Sequence, residues 1–307
     1  MDNSTNKEVF FCSAASRYFK EQLAGTAANA GAFILIEHAN PFPEKITDAH
    51  FDKEWLKDIQ LLAKSLKGKV LLIRNKKTNF KDCKISFVDN KAGRYFTIQS
   101  TIEQISSIRL SDHIHSADTE WQTDPFFVIC TNGKKDKCCA KFGFPVFKFF
   151  ESFNADVNVW ECTHVGGDRF AANVIAMPFG IYYGHVAVED VGHIMVRTLL
   201  RKIYKNKFRG VSRRSFYEQA IECHLREHLQ NYDIDFEIHT HLLKHEGDHY
   251  EVDVTTSNNG HYMMDLERVK IDYPHLLTCS AKKQENISKF KLAKLQELLN
   301  PVPVQLP

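Results

Sequence analysis

The chain has 307 residues, of which 43% are hydrophobic and 25% charged, with a formal net charge of +2. That length suits two domains or one large one and can bury a core without disulfide support. The near-neutral charge gives no sign of a nucleic-acid or anionic-membrane partner. No apolar run approaches the roughly 20 residues needed to cross a bilayer, and the opening Met-Asp-Asn-Ser-Thr-Asn-Lys-Glu lacks the basic and apolar stretches of a secretory signal. A cytoplasmic location is therefore expected, where the eight cysteines are not a disulfide framework.

The predicted elements begin with a short apolar strand over Ala32 to Glu37, then a helix over Phe51 to Leu66, whose apolar residues recur on one face and which Gly68 is placed to stop. A buried strand over Lys69 to Arg74 follows, then a hairpin of Ile85 to Val88 and Arg94 to Gln99. Strand, helix, strand and two antiparallel strands is a thioredoxin-like order. Polar residues Ser111 to Asp124 predict a linker, after which the pattern restarts. Phe126 to Cys130 is a strand, Pro145 is placed in the first turn of a Phe-rich helix, and Val157 to Cys162 is the next strand. Strands over Ala171 to Met177 and Ile181 to Val188 flank the turn Pro178-Phe-Gly180. Helices are predicted over Val191 to Tyr204, capped by Asp190, and over Arg214 to Leu229, with the capping box Ser215-x-x-Glu218. Asp235 to Leu243, His249 to Thr256 and Tyr262 to Val269 read as a three-stranded meander, and Ile287 to Leu299 as an amphipathic helix ended by Pro301 and Pro303. The fold class is α/β, with thioredoxin-like domains on mixed sheet and a small C-terminal meander and helix. The expected division is residues 1–120, 121–230 and 231–307. The two α/β halves share too little residue identity to be read as a repeat.

Chemistry concentrates in Cys130-Thr-Asn-Gly-Lys-Lys-Asp-Lys-Cys138-Cys139 and Cys162-Thr-His164-Val-Gly-Gly-Asp168. Cys130 and Cys162 end neighbouring predicted strands, and the carboxyl ends of such strands open onto one crevice. Cys130, Cys139, Cys162 and His164 can meet there. Thiolates and imidazoles at that density suit a soft or borderline metal centre. Gly166-Gly167 allows close backbone approach and N–H donation to cluster sulfurs. Arg169, beside His164, either offsets cluster charge or pairs with a carboxylate. Zinc sites favour short C-x2–4-C knuckles and a redox dithiol favours C-x-x-C; neither motif occurs, so a wider cluster fits the spacing better. Zinc, a thiol-disulfide centre and simple packing remain alternatives. Cys12, Cys83, Cys223 and Cys279 are scattered and read as small buried apolar residues. The histidines of the meander read as surface residues, with His239 and His241 on one strand face.

The segments FFVICTNGKKDKCCAKFG, WECTHVGGDRFAANVIAMPFGIYYG and FFCSAASRYFKEQLAGTAANAGAFILIEH resemble the sucrase/ferredoxin-like family. The resemblance implies a thioredoxin-like ferredoxin with a [2Fe–2S] cluster, held in fungal relatives by two cysteines with eight residues between them and two histidines four positions apart. By position it implies Cys130, Cys139 and His164 as ligands, with Asp168 where the second histidine stands. Cys162 or Cys138 then competes with Asp168 for the fourth place, and Cys162 is favoured. The expected job is one-electron transfer with a reductase or ferredoxin as partner, an electron carrier more than a turnover enzyme. The basic stretch Arg197 to Arg214 and the lysines of the 130–139 loop offer charge for docking such a partner. Glycoside chemistry, which needs paired carboxylates in a cleft, finds only the generic pair Glu161 and Asp168.

Overall fold

A computed structural model describes residues 10–153, 156–272 and 276–298. The first nine residues and the Pro301/Pro303 tail lie outside them. A short helix, α1 (Cys12–Tyr18), precedes the first sheet strand β1 (Phe33–Glu37), all five residues of which are buried. Ile34 and Ile36 face one core while Phe33 and Leu35 face another. Layers on both faces explain an unbroken apolar run where a half-exposed strand would alternate. Helix α2 (Lys53–Ser65) starts where Asp52 accepts the Trp55 N–H at 2.8 Å, and it buries Trp55, Leu56, Ile59 and Ala63. Strand β2 (Lys69–Arg74) runs parallel to β1; β3 (Asp82–Asp89) lies antiparallel on the other side of β1, and β4 (Arg94–Thr101) pairs with β3. The expected linker is not wholly irregular. Its start forms α3 (Leu110–His115), and Trp121 packs on Phe87 and Phe96.

The second half repeats the order. Strand β5 (Phe126–Cys130), helix α4 (Lys137–Ser152), parallel strand β6 (Val159–Cys162) and antiparallel strands β7 (Val174–Met177) and β8 (Ile181–Tyr183) follow in sequence. Helix α4 begins eight residues before Pro145, so that proline lies inside the helix and not in its first turn. Asp136 sets the true start by accepting the Cys138 N–H at 2.8 Å, the usual N-cap device. Helix α5 (Val191–Leu199), edge strand β9 (Phe208–Val211) and helix α6 (Phe216–Leu229) complete this half, the last opened by a capping box between Ser215 and Glu218. The two halves join where β2 meets β6 antiparallel, through Ile73 with Cys162 and Arg74 with Glu161. One nine-stranded sheet results, in the order β4-β3-β1-β2-β6-β5-β7-β8-β9.

A second, antiparallel sheet contains β10 (Ile238–Glu246), β11 (His249–Thr256), β12 (His261–Lys270) and β13 (Ser288–Glu297), and packs on Ala220, Ile221 and Leu225 of α6. The helix expected over 287–299 is thus a strand. Its apolar spacing misleads because Leu292 pairs with Leu266 and Lys294 with Asp265, which leaves Ala293 as a bulge. Phe290, Leu292 and Leu295 therefore reach one face together, although their intervals of two and three do not alternate. Among the described residues no helix is long and apolar enough to cross a membrane.

Candidate metal centre

Strand β5 alternates so that Phe126, Val128 and Cys130 point into one core while Phe127 and Ile129 point to the other, beneath α4. Cys139 comes from the first turn of α4, and His164 from the loop after β6. One donor atom from each of Cys130, Cys139 and His164 lies within 4.8 Å of the others. Asp168 closes the group. Its Oδ1 accepts the Cys139 thiol at 3.4 Å and stands 2.9 Å from His164 Nδ1. That ring nitrogen is buried against the carboxylate, so the two oppose each other as an ion pair. Cys130 and Cys139 are buried, whereas the His164 side chain is 26% exposed. The helix and strand approach closely: a Cβ on Gly143 would stand 2.1 Å from the Cys130 carbonyl oxygen, so only glycine lets α4 cross β5 here.

The protonation pattern follows from contact. Hydrogen bonds from Cys139, and then from His164 and the Asn132 backbone, outweigh burial and bring the Cys130 thiol down to about 5. Cys139, held against that sulfur and buried beside Asp168, is pushed far upward. Burial opposes charge on His164, but the Asp168 carboxylate and the Cys130 sulfur hold the ring up to about 9. The two thiols therefore differ, Cys130 favouring the thiolate and Cys139 the thiol, while His164 favours the imidazolium. A metal held by these donors would displace protons from Cys139 and His164.

The other expected residues are placed as follows. Cys162 is the register partner of Cys130 and wholly buried, yet it lies outside the three-donor group; burial raises its thiol. Gly166 and Gly167 both take positive φ, +102° and +80°. A Cβ on Gly167 would meet Arg209 Nη2 at 2.5 Å. Arg169 pairs with Glu21 at 2.6 Å and lies over the Phe170 ring.

Arg209 is a participant the sequence did not announce. It is 1% exposed and donates to Asn173 Oδ1 at 2.6 Å, to the Thr26 hydroxyl at 3.1 Å and to the Gly166 carbonyl at 3.3 Å, with the Glu21 and Asp168 carboxylates near enough to act on its charge. Burial lowers it to about 9. Lys69 Nζ supports the same turn by donating to the Val165 carbonyl at 3.1 Å. Only a basic run around 209 hinted at this; of its other members Arg201 pairs with Asp235, Lys202 with Asp233, Lys207 with Asp190 and Arg214 with Glu222, while Arg197 and Lys205 are exposed. A cleft of about 560 Å³ is lined by Gly167, Arg169, Arg209, Tyr217 and Phe290 among others, but not by the four donors. Cys12 and Cys279 are not scattered in space either. With Asp136 and Cys138 they form a second donor group, because chain segments far apart in sequence converge at the start of α4.

A segment of 98 residues, 29% of the chain, is 33% identical to "Altered inheritance of mitochondria protein 32" of the yeast Meyerozyma guilliermondii. The match spans about a third, 35%, of that relative. No solved structure matches the chain. The sucrase/ferredoxin-like family matches residues 23–210, well over half the chain and every donor of the site from Cys130 to Asp168, and the protein belongs to that family.

Proposed function

We propose that this protein is an electron carrier whose [2Fe–2S] cluster is held by Cys130, Cys139 and His164, with Asp168 as fourth donor. The observation that carries the reading is the convergence of two thiols and an imidazole within 4.8 Å, from a strand end, a helix start and a loop. The donor set is of the right chemistry, since thiolate and imidazole suit iron–sulfur centres. When bound, the cluster supplies one-electron chemistry. The protein's part is to fix the donors and tune their field. Asp168 contacts both Cys139 and His164, whereas Cys162 stands outside the group, which favours Asp168 over Cys162. His164, as the partly exposed donor, is the natural route for an electron. The buried Arg209 behind Gly166 places a positive charge near an anionic centre and favours its reduced state.

Partner docking falls to Lys134, Lys135 and Lys137, which are exposed beside the site, rather than to the stretch Arg197 to Arg214, four of whose cations are paired within the chain. An acidic reductase or ferredoxin is the expected partner. The free state of all eight cysteines suits a reducing compartment such as the cytoplasm or the mitochondrial interior. Imaging of the tagged full chain separates these two.

Zinc on the same four donors is the competing occupant, because two thiolates, an imidazole and a carboxylate also suit a tetrahedral ion. Protein purified without air and assayed for iron, sulfide, visible absorption and EPR decides between them. Iron and sulfide in equal amounts, with a reducible chromophore, support the carrier. A colourless protein with zinc on these donors removes it.

A further inference from the structure

We propose that the chain holds a second metal site, a structural zinc bound by Cys12, Cys138, Cys279 and Asp136. The three sulfurs form a triangle with edges of 3.5 Å (Cys12 to Cys138), 3.2 Å (Cys138 to Cys279) and 3.7 Å (Cys279 to Cys12). Asp136 Oδ1 lies 3.9 Å from the Cys12 sulfur. A tetrahedral zinc with sulfurs at about 2.3 Å sets its sulfur atoms roughly 3.8 Å apart, so the observed triangle is close to the size required. Cys12 and Cys138 are buried, as is Asp136, and Cys279 is partly so.

The surroundings are those of charged sulfur. The Ser13 backbone N–H donates to Cys138 Sγ at 3.3 Å. Cys138 occupies the first turn of the sixteen-residue helix α4, whose N-terminal dipole favours a thiolate. Arg17, held over the Phe142 ring and donating to the Ala171 carbonyl, brings a positive charge to the same corner. Asp136 is oriented by two backbone donors, Cys138 N–H at 2.8 Å and Cys279 N–H at 2.7 Å. Such hydrogen-bonded ligands are the usual support of a metal site. A disulfide does not use this set well, because pairing two of three equivalent thiols strands the third and the carboxylate.

The donors come from three remote segments: α1, the start of α4, and the 276–287 connection between β12 and β13. The ion would tie the second sheet to the helix that carries Cys139. Closed four-donor sites of this kind stabilise folds and keep no open position for chemistry.

The test is zinc analysis and zinc K-edge X-ray absorption on the intact, iron-loaded chain prepared in zinc-containing medium. We expect one zinc per chain with three sulfur neighbours and one oxygen. Cys279→Ser and Cys12→Ser should each lose the zinc while retaining the iron chromophore, and Cys83→Ser, a buried cysteine outside both groups, should keep both. No zinc, zinc with fewer than three sulfurs, full zinc content in Cys279→Ser, or a Cys138–Cys279 disulfide in anaerobically alkylated protein overturns the proposal. The absorption measurement needs no variant and stands even where a substitution prevents folding. Chain with iron but no zinc sinks this site alone, whereas chain with this zinc but no iron sinks the carrier reading alone.

Discussion

Cys138 and Cys139 are neighbours in the chain, yet their sulfurs serve different groups. Cys139 faces Cys130 and Asp168, and Cys138 faces Cys12 and Cys279. Successive residues on a helix project about 100° apart, so one turn of α4 can address two places. The two serines should therefore behave differently. Cys139→Ser is expected to lose nearly all bound iron and visible colour, and Cys138→Ser to keep most of both. Iron per chain measures this; equal loss in the two variants would show that the groups are not separate.

Asp168 stands where the family resemblance expects a second histidine. Replacing a carboxylate donor by a neutral imidazole makes the centre less negative, so Asp168→His should keep the cluster and raise its potential by on the order of 100 mV. A redox titration followed by EPR reads the change. An unmoved potential would take Asp168 out of the ligand set.

His185 sets an acid limb in the stability of the protein. Lowered to about 3 chiefly by burial, it contributes stability present above 6.5 and lost as pH falls toward 3. The slope of that limb is on the order of 1 kcal/mol per pH unit. His185→Gln should flatten it. Urea midpoints measured from about pH 4 to 7 follow the change, and parallel curves for variant and parent would refute the assignment.

Glu222 is buried between Arg214 at 2.7 Å and Arg226 at 2.9 Å, and Arg226 also donates to the Phe236 and Asp233 carbonyls that lead into β10. Removing the shared carboxylate leaves buried cations unpaired. Glu222→Gln is expected to cost about 3 kcal/mol, and should lower the thermal midpoint by on the order of 5 °C. A midpoint within a degree of the parent would show the pair to be dispensable.

Strand and helix identity in the first 230 residues was legible because both sheet faces are covered, which turns β1, β2 and β5 into short continuous apolar runs bounded by polar turns. The trio Cys130, Cys139 and His164 was legible for a similar reason: each sits at a strand or helix end, and parallel topology brings such ends together. The partnership of Cys12 and Cys279 was not. It depends on where a loop 141 residues downstream of Cys138 returns, which no local pattern encodes. Arg209 was hidden in a charged stretch, and its burial follows only once β9 takes its place in the sheet. The bulge at Ala293 masked β13, since one extra residue converts strand alternation into helix-like spacing.

The contact at Gly143 has a further meaning. With α4 wedged against the Cys130 carbonyl, the two thiols of the site ride on elements that have no slack to slide or tilt relative to each other. Under the proposed carrier role, a centre framed this stiffly would change its bond geometry little between oxidation states. A small reorganisation energy would then let an electron hop quickly under a weak driving force.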